Sequence, residues 1–189
     1  MNLPNSLTLV RIFLVPLLVV VLLTKPEGRL VPGLTNHMLG AAIFAFASAT
    51  DWLDGYVARR RKQVTVVGQL MDPLADKLLT AAAFISLVQM GAAPAWMIAI
   101  IIGREFAVTA LRSLAYARGV VIASSPLGKG KMACQVAAVL LLILGHDGVP
   151  WFTFLGHVAL WAVVVVAVIS AADYYRRFAR ASSAASRHS

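Results

Sequence analysis

The chain has 189 residues, 60% hydrophobic and 13% charged, with a mean hydropathy of +0.81, whereas a soluble domain averages about 45–50% apolar and about 25% charged. That composition excludes intrinsic disorder and argues against a water-soluble globule, so the net charge of +9 reads as basic loops at an anionic membrane face rather than a nucleic-acid footprint. A single cysteine, Cys134, excludes an internal disulfide and a cysteine-based zinc site.

A membrane-spanning helix needs about 20 mainly apolar residues, with about 17 as the lower limit. The first candidate is Leu7–Leu23, and no small-residue cleavage site follows it, so it is expected to remain as a span. His37–Val57, Gln69–Met90, Pro94–Ala117, Gly128–Gly145 and Trp151–Tyr175 follow, the fifth being the weakest because its purely apolar part starts at Met132. Turn chemistry separates them at Lys25-Pro26-Glu27-Gly28, Gly91-Ala92-Ala93-Pro94, Ser125-Pro126-Leu127-Gly128 and His146-Asp147-Gly148. The expectation is an all-α polytopic membrane protein: one domain of six transmembrane helices over residues 1–180, then a disordered polar tail, 181–189.

Basic residues set the orientation. Arg59, Arg60, Arg61 and Lys62 lie between spans two and three, and Arg118, Lys129 and Lys131 between four and five. The tail carries Arg176, Arg177, Arg180 and Arg187, whereas the opposite connections carry only Lys25 and Arg29. Both termini and both basic loops are therefore expected in the cytoplasm.

The acids are few and oddly placed. Glu27, Asp147 and Asp173 lie in loops or near the last helix end, but Asp51, Asp54, Asp72, Asp76 and Glu105 fall within spans, near their cytoplasmic ends. A carboxylate at mid-bilayer costs roughly 2.5–3.5 kcal/mol, less near an interface, so such residues mark a functional site by default. Asp51 and Asp54 are three apart and Asp72 and Asp76 four apart, so each pair shares a helix face. The short basic loop makes spans two and three antiparallel neighbours, which brings all four carboxylates to one depth. Like charges that close raise one another's pKa values unless a cation lies between them. Mg²⁺ is held by carboxylates together with substrate phosphates, and two such ions about 3.5–4 Å apart form a clamp for phosphoryl chemistry. Gly55, Ala58 and Gly68 allow close approach to the backbone, and Arg59 offers a guanidinium fork for a phosphate.

Written out, the stretch Asp51-x2-Asp54-Gly55-x2-Ala58-Arg59-x8-Gly68-x3-Asp72-x3-Asp76 resembles the signature of the CDP-alcohol phosphotransferase family at all eight fixed positions. The resemblance extends over most of the chain and includes a six-helix layout. It implies an active site at the cytoplasmic end, where a hydroxyl attacks a nucleotide-activated lipid phosphate and CMP leaves. It further implies Asp51, Asp54, Asp72 and Asp76 as ligands of two Mg²⁺ or Mn²⁺ ions, with Asp76 also the general base. Gly55, Ala58, Arg59 and Gly68, joined by Asn5, Thr8 and Thr65, then resemble the residues that bind CDP-diacylglycerol. A homodimer in the bacterial cytoplasmic membrane, among membrane lipids and without nucleic acid, is the implied assembly.

Three segments resemble the family members that use sn-glycerol 3-phosphate as acceptor: Asn2 to Arg11, Gly103-Arg104-Glu105-Phe106-x2-Thr109-x2-Arg112, and Ser125-Pro126-x-Gly128-Lys129-x-Lys131. A phosphate-bearing acceptor needs cations, and Arg104, Arg112, Arg118, Lys129 and Lys131 supply them on the cytoplasmic side. The competing reading of Arg104 and Lys77 is internal charge balance, Arg104 pairing with Glu105 or another span's acid. For the whole chain the alternatives are another acceptor, such as inositol phosphate, serine or phosphatidylglycerol, and a cation transporter built on the aspartates. The transporter reading lacks inverted-repeat symmetry and leaves Gly55, Ala58, Arg59 and Gly68 without a role.

Overall fold

The computed structural model describes residues 3–24, 31, 33–61, 66–117 and 127–185, with side chains described at 9–24, 31, 33–50, 74–114 and 130–176. Among the described residues the chain forms six α-helices and no strand: α1 (Leu3–Leu23), α2 (Asn36–Arg61), α3 (Val66–Gln89), α4 (Ala95–Ala117), α5 (Leu127–Gly145) and α6 (Pro150–Ala185). Each expected span coincides with one helix, with no end overrunning the helix by more than a residue. The last helix runs on into the polar tail as far as Ala185.

Local chemistry explains the ends. Thr35 is the N-cap of α2, its Oγ1 accepting the Met38 N–H at 3.1 Å. α3 stops in a Schellman turn: Gly91 N–H reaches the Val88 carbonyl at 3.0 Å and Ala92 N–H the Leu87 carbonyl at 2.9 Å. That turn requires the φ of +73° that Gly91 adopts. α6 opens with Pro150 at its first position, where a missing N–H costs nothing.

The longest interface is α5 against α6, while α1 packs on both α2 and α3, and α4 packs on α6. Glycines set the α5–α6 distance: a Cβ on Gly145 would lie 2.6 Å from the Thr153 backbone nitrogen, and one on Gly156 2.8 Å from the Leu142 side chain. The core is a single apolar cluster including Leu18, Leu22, Phe44, Leu79, Phe84, Leu87, Ile101, Leu142, Ile143 and Leu160. α2 and α3 touch, but α3 is packed chiefly on α1, so the first helix wedges the aspartate-bearing pair rather than leaving it to pack alone.

The outside of the bundle is also apolar. Phe13, Phe46, Ile85, Trp151, Phe154, Trp161 and Ile169 are all more than half exposed. A soluble monomer rarely shows an apolar surface on this scale. Among the described residues one helical segment, Pro150–Arg176, is long and apolar enough to cross a membrane, with 27 residues and a mean hydropathy of 2.4. Leu9–Leu23 and Gly130–Gly145 are shorter apolar helices.

Candidate active site

Most of the residues singled out from the sequence gather on the helix ends at one pole of the bundle. Asp51, Asp54, Gly55, Ala58 and Arg59 lie on the C-terminal turns of α2, and Gly68, Asp72 and Asp76 on the N-terminal turns of α3. Asn5 and Thr8 lie on the first turns of α1, and Lys129 on the first turn of α5. The side chains of these residues, Asp76 excepted, lie outside the described residues, as do Thr65 and Arg118 altogether. Among the described residues no group of three or more His, Cys, Asp or Glu is placed to hold a metal ion.

Asp76 is half-buried, one position beyond the fully buried Ala75, and its backbone carbonyl accepts a hydrogen bond from Thr80 Oγ1 at 3.1 Å. The next residue, Lys77, turns toward α4 and donates its Nζ to Thr109 Oγ1. Thr109 in turn donates to the Glu105 carbonyl at 2.7 Å. Lys77 is thereby anchored to the adjacent helix.

Glu105 is the centre of this region. Its carboxylate accepts a hydrogen bond from Arg104 at 3.1 Å and forms an ion pair with Lys131 of α5. Lys131 is buried, and a buried cation is tolerated where a carboxylate meets it. Arg104 also reaches α6, where Ser170 Oγ accepts from its Nε at 3.0 Å and from a terminal nitrogen. Two turns further along α4, Arg112 donates its Nε to the Tyr174 hydroxyl at 3.2 Å, with its guanidinium carbon 5.7 Å from the ring centroid. Charge balance thus holds for Arg104 and Lys131 through Glu105, whereas Arg112 meets a neutral oxygen. Lys77, Arg104, Arg112 and Lys131 come from three helices to the end of the bundle that also carries Glu105 and the half-buried Asp76.

Ser170 and Tyr174 were not singled out from the sequence. A signal existed: residues 160–169 of α6 carry no hydroxyl, and these two then follow one turn apart on a shared face. What they touch, however, depends on how α6 is rotated against α4.

The opposite pole holds a separate polar cluster. The Asp147 carboxylate accepts a hydrogen bond from Thr35 Oγ1 and lies 2.5 Å from His37 Nδ1, while the His37 and His146 rings meet edge to face at 4.7 Å. A shallow groove of about 510 Å³ opens nearby, lined by Gly145, Gly148, Pro150, Thr153, Phe154 and His157. It is largely apolar and contains none of the residues singled out from the sequence.

A family model described as CDP-alcohol phosphatidyltransferase matches residues 1–174. A Bacillus subtilis protein named CDP-diacylglycerol--glycerol-3-phosphate 3-phosphatidyltransferase is 44% identical, the match covering 93% of this chain and 94% of the relative. Proteins of the same name from Pseudomonas fluorescens and Rickettsia bellii are 35% and 34% identical, each over 93% of this chain and over 89% and 94% of the relative.

Proposed function

The chain belongs to the CDP-alcohol phosphatidyltransferase family, and on that premise we propose that it transfers the phosphatidyl group of CDP-diacylglycerol to the 1-hydroxyl of sn-glycerol 3-phosphate. The bond between the acceptor oxygen and the lipid phosphorus forms, the bond from that phosphorus to CMP breaks, and the hydroxyl proton passes to Asp76. The products are phosphatidylglycerophosphate and CMP. The observation that carries the acceptor is the group of cations, Lys77, Arg104, Arg112 and Lys131, brought from three helices to one end of the bundle, which suits an anionic alcohol and has no use for a neutral one. The names of the relatives point the same way.

The donor half of the site is assigned from residues at the same pole. Asp51, Asp54, Asp72 and Asp76 offer only oxygen donors on two touching helices, a set that fits hard divalent cations such as Mg²⁺ or Mn²⁺. Bound there, two ions would neutralise the pyrophosphate and the departing CMP. Asp76 holds the acceptor proton, Arg59 binds a phosphate of the liponucleotide, and Gly55, Ala58 and Gly68 leave room for the cytidine diphosphate beside the backbone. Asn5, Thr8 and Thr65 complete the liponucleotide site, and Arg118 and Lys129 the acceptor site.

We read all six helices as membrane spans of the bacterial cytoplasmic membrane, with both termini in the cytoplasm and two chains forming a homodimer. The exposed apolar side chains around the bundle and the one-sided distribution of Lys and Arg support the span reading. The test is direct. Purified protein with Mg²⁺ or Mn²⁺ should release CMP from CDP-diacylglycerol only when glycerol 3-phosphate is added. Equal or faster turnover with serine or inositol phosphate would overturn the acceptor.

A further inference from the structure

We propose that Tyr174, seconded one turn earlier by Ser170, is a positioning residue for recognition of the acceptor's phosphate. It holds the Arg112 guanidinium by its Nε and leaves the paired terminal nitrogens to the anion. This deepens the acceptor reading above and rests on it.

Four points carry the inference. The Tyr174 side chain is embedded, at 5% exposure, while Arg112 is exposed, so the phenol is the fixed partner and the arginine the one it restrains. The hydrogen bond engages Nε, and the ring lies 5.7 Å from the guanidinium carbon, so orientation is set by two contacts to one residue. The bidentate edge that matches a phosphate is the pair of terminal nitrogens, which this bond does not use. Finally, both hydroxyls on α6 that meet α4 arginines are neutral: Ser170 receives Arg104 as Tyr174 receives Arg112.

Neutrality is the decisive chemistry. An aspartate or glutamate at position 174 would also fix the guanidinium, but it would cancel the charge that the phosphate must meet. A phenol accepts the hydrogen bond and leaves the positive charge intact. An arginine already held in place loses less rotational freedom when the anion arrives, which tightens binding without any new contact to the ligand. Burying two hydroxyls in an otherwise apolar stretch is unfavourable unless each is hydrogen-bonded, and these arginines supply those bonds.

The experiment uses the full-length protein in detergent with Mg²⁺ and CDP-diacylglycerol, with glycerol 3-phosphate varied. Tyr174→Phe keeps the ring and removes the hydroxyl. Its KM for glycerol 3-phosphate should rise about tenfold, the effect of losing one hydrogen bond to a charged group. Its kcat and its KM for CDP-diacylglycerol should move far less. Ser170→Ala should show a smaller change of the same kind, with Ser170→Thr restoring it. In an Arg112→Ala background Tyr174→Phe should add nothing, since the residue it positions is gone. Equal rises in both KM values, a fall in kcat alone, or additive effects in the double variant would overturn the positioning role. If the unaltered protein prefers serine, the acceptor reading fails and this inference falls with it. If it uses glycerol 3-phosphate and Tyr174→Phe leaves that KM unchanged, only the inference fails.

Discussion

The two poles of the helix bundle each bring charged and hydroxyl side chains together across helices, yet they are built to opposite ends. At one pole Thr35, His37 and His146 close around Asp147, the side chains of His37 and Asp147 being only 15% and 17% exposed. The result is a clasp between the start of α2 and the α5–α6 turn. At the other pole Arg104 and Lys131 meet the Glu105 carboxylate, while Lys77, Arg104 and Arg112 also reach hydroxyls on neighbouring helices. One cluster closes on a single carboxylate, whereas the other spreads several cations over hydroxyls as well as a carboxylate. A guanidinium or ammonium held by a neutral hydroxyl keeps its positive charge, whereas one paired with a carboxylate is neutralised.

The sharpest way to break this contrast is to remove the aspartates on the turns of α2 and α3 at this second pole. Asp51→Ala, Asp54→Ala or Asp72→Ala should lower phosphatidyl transfer by on the order of a thousandfold or more, because metal-borne charge stabilisation contributes several kcal/mol to the barrier. The helical circular dichroism signal should be unchanged. Asp76→Asn should lower kcat by about 10²- to 10⁴-fold, the range of general-base catalysis, and near-normal turnover would remove Asp76 from that role. Lys131→Ala and Arg112→Ala should raise the KM for glycerol 3-phosphate about tenfold or more, well beyond any change for CDP-diacylglycerol. The reverse pattern would move those cations to the liponucleotide half of the site.

The clasp should respond in stability and not in catalysis. Asp147→Asn should leave the kinetic constants close to those of the unaltered protein while lowering the melting temperature. An activity loss matching that of Lys131→Ala would erase the distinction between the poles. The smallest effect concerns pH. Burial, reinforced by His37, holds the His146 pKa below its ordinary 6.5. The unfolded chain therefore binds this proton first, and stability declines as pH falls below about 6.5 and through the lowered value. For Asp147 burial pushes upward, but hydrogen bonds from Thr35 and His37 and the nearby imidazoles prevail and hold it below 3.8. Its stabilisation is present above that ordinary value and disappears as pH falls through the lowered one. Melting temperature recorded from pH 7 to pH 5 should decline slightly, and His146→Asn should flatten that decline.

Much of the helix layout was legible because long apolar runs bounded by turn residues fold into helices. The expected span His37–Val57 lies inside α2, and the weak fifth span, Gly128–Gly145, differs from α5 by one residue at its start. Turn residues such as Gly91 supplied the boundaries for reasons the backbone makes plain. The charge-balance reading of Arg104 was also legible, since Glu105 adjoins it and does accept from it. Other features were not. That α2 and α3 touch was legible from their short loop, but that α1 also packs on both of them was not. The hydrogen bond of Lys77 to Thr109 on the next helix was announced by no spacing in the sequence. Ser170 and Tyr174 carried no motif at all.

The amino-acid sequence by itself determined six helices, a family, and the chemical types gathered in one aspartate-bearing stretch. Those depend on local quantities: apolar run length, turn residues, and carboxylates three or four apart on one face. Tertiary structure alone decided that Lys131 meets Glu105 and that arginines on α4 find hydroxyls on α6 lying 66 and 62 residues away in the chain. Helical periodicity assigns a residue to a face, but the rotation of that face toward a particular neighbour comes from packing. Here close contacts such as Gly145 and Gly156 of α5 and α6 set it, and no local pattern around Arg112 encodes the phenol that holds it.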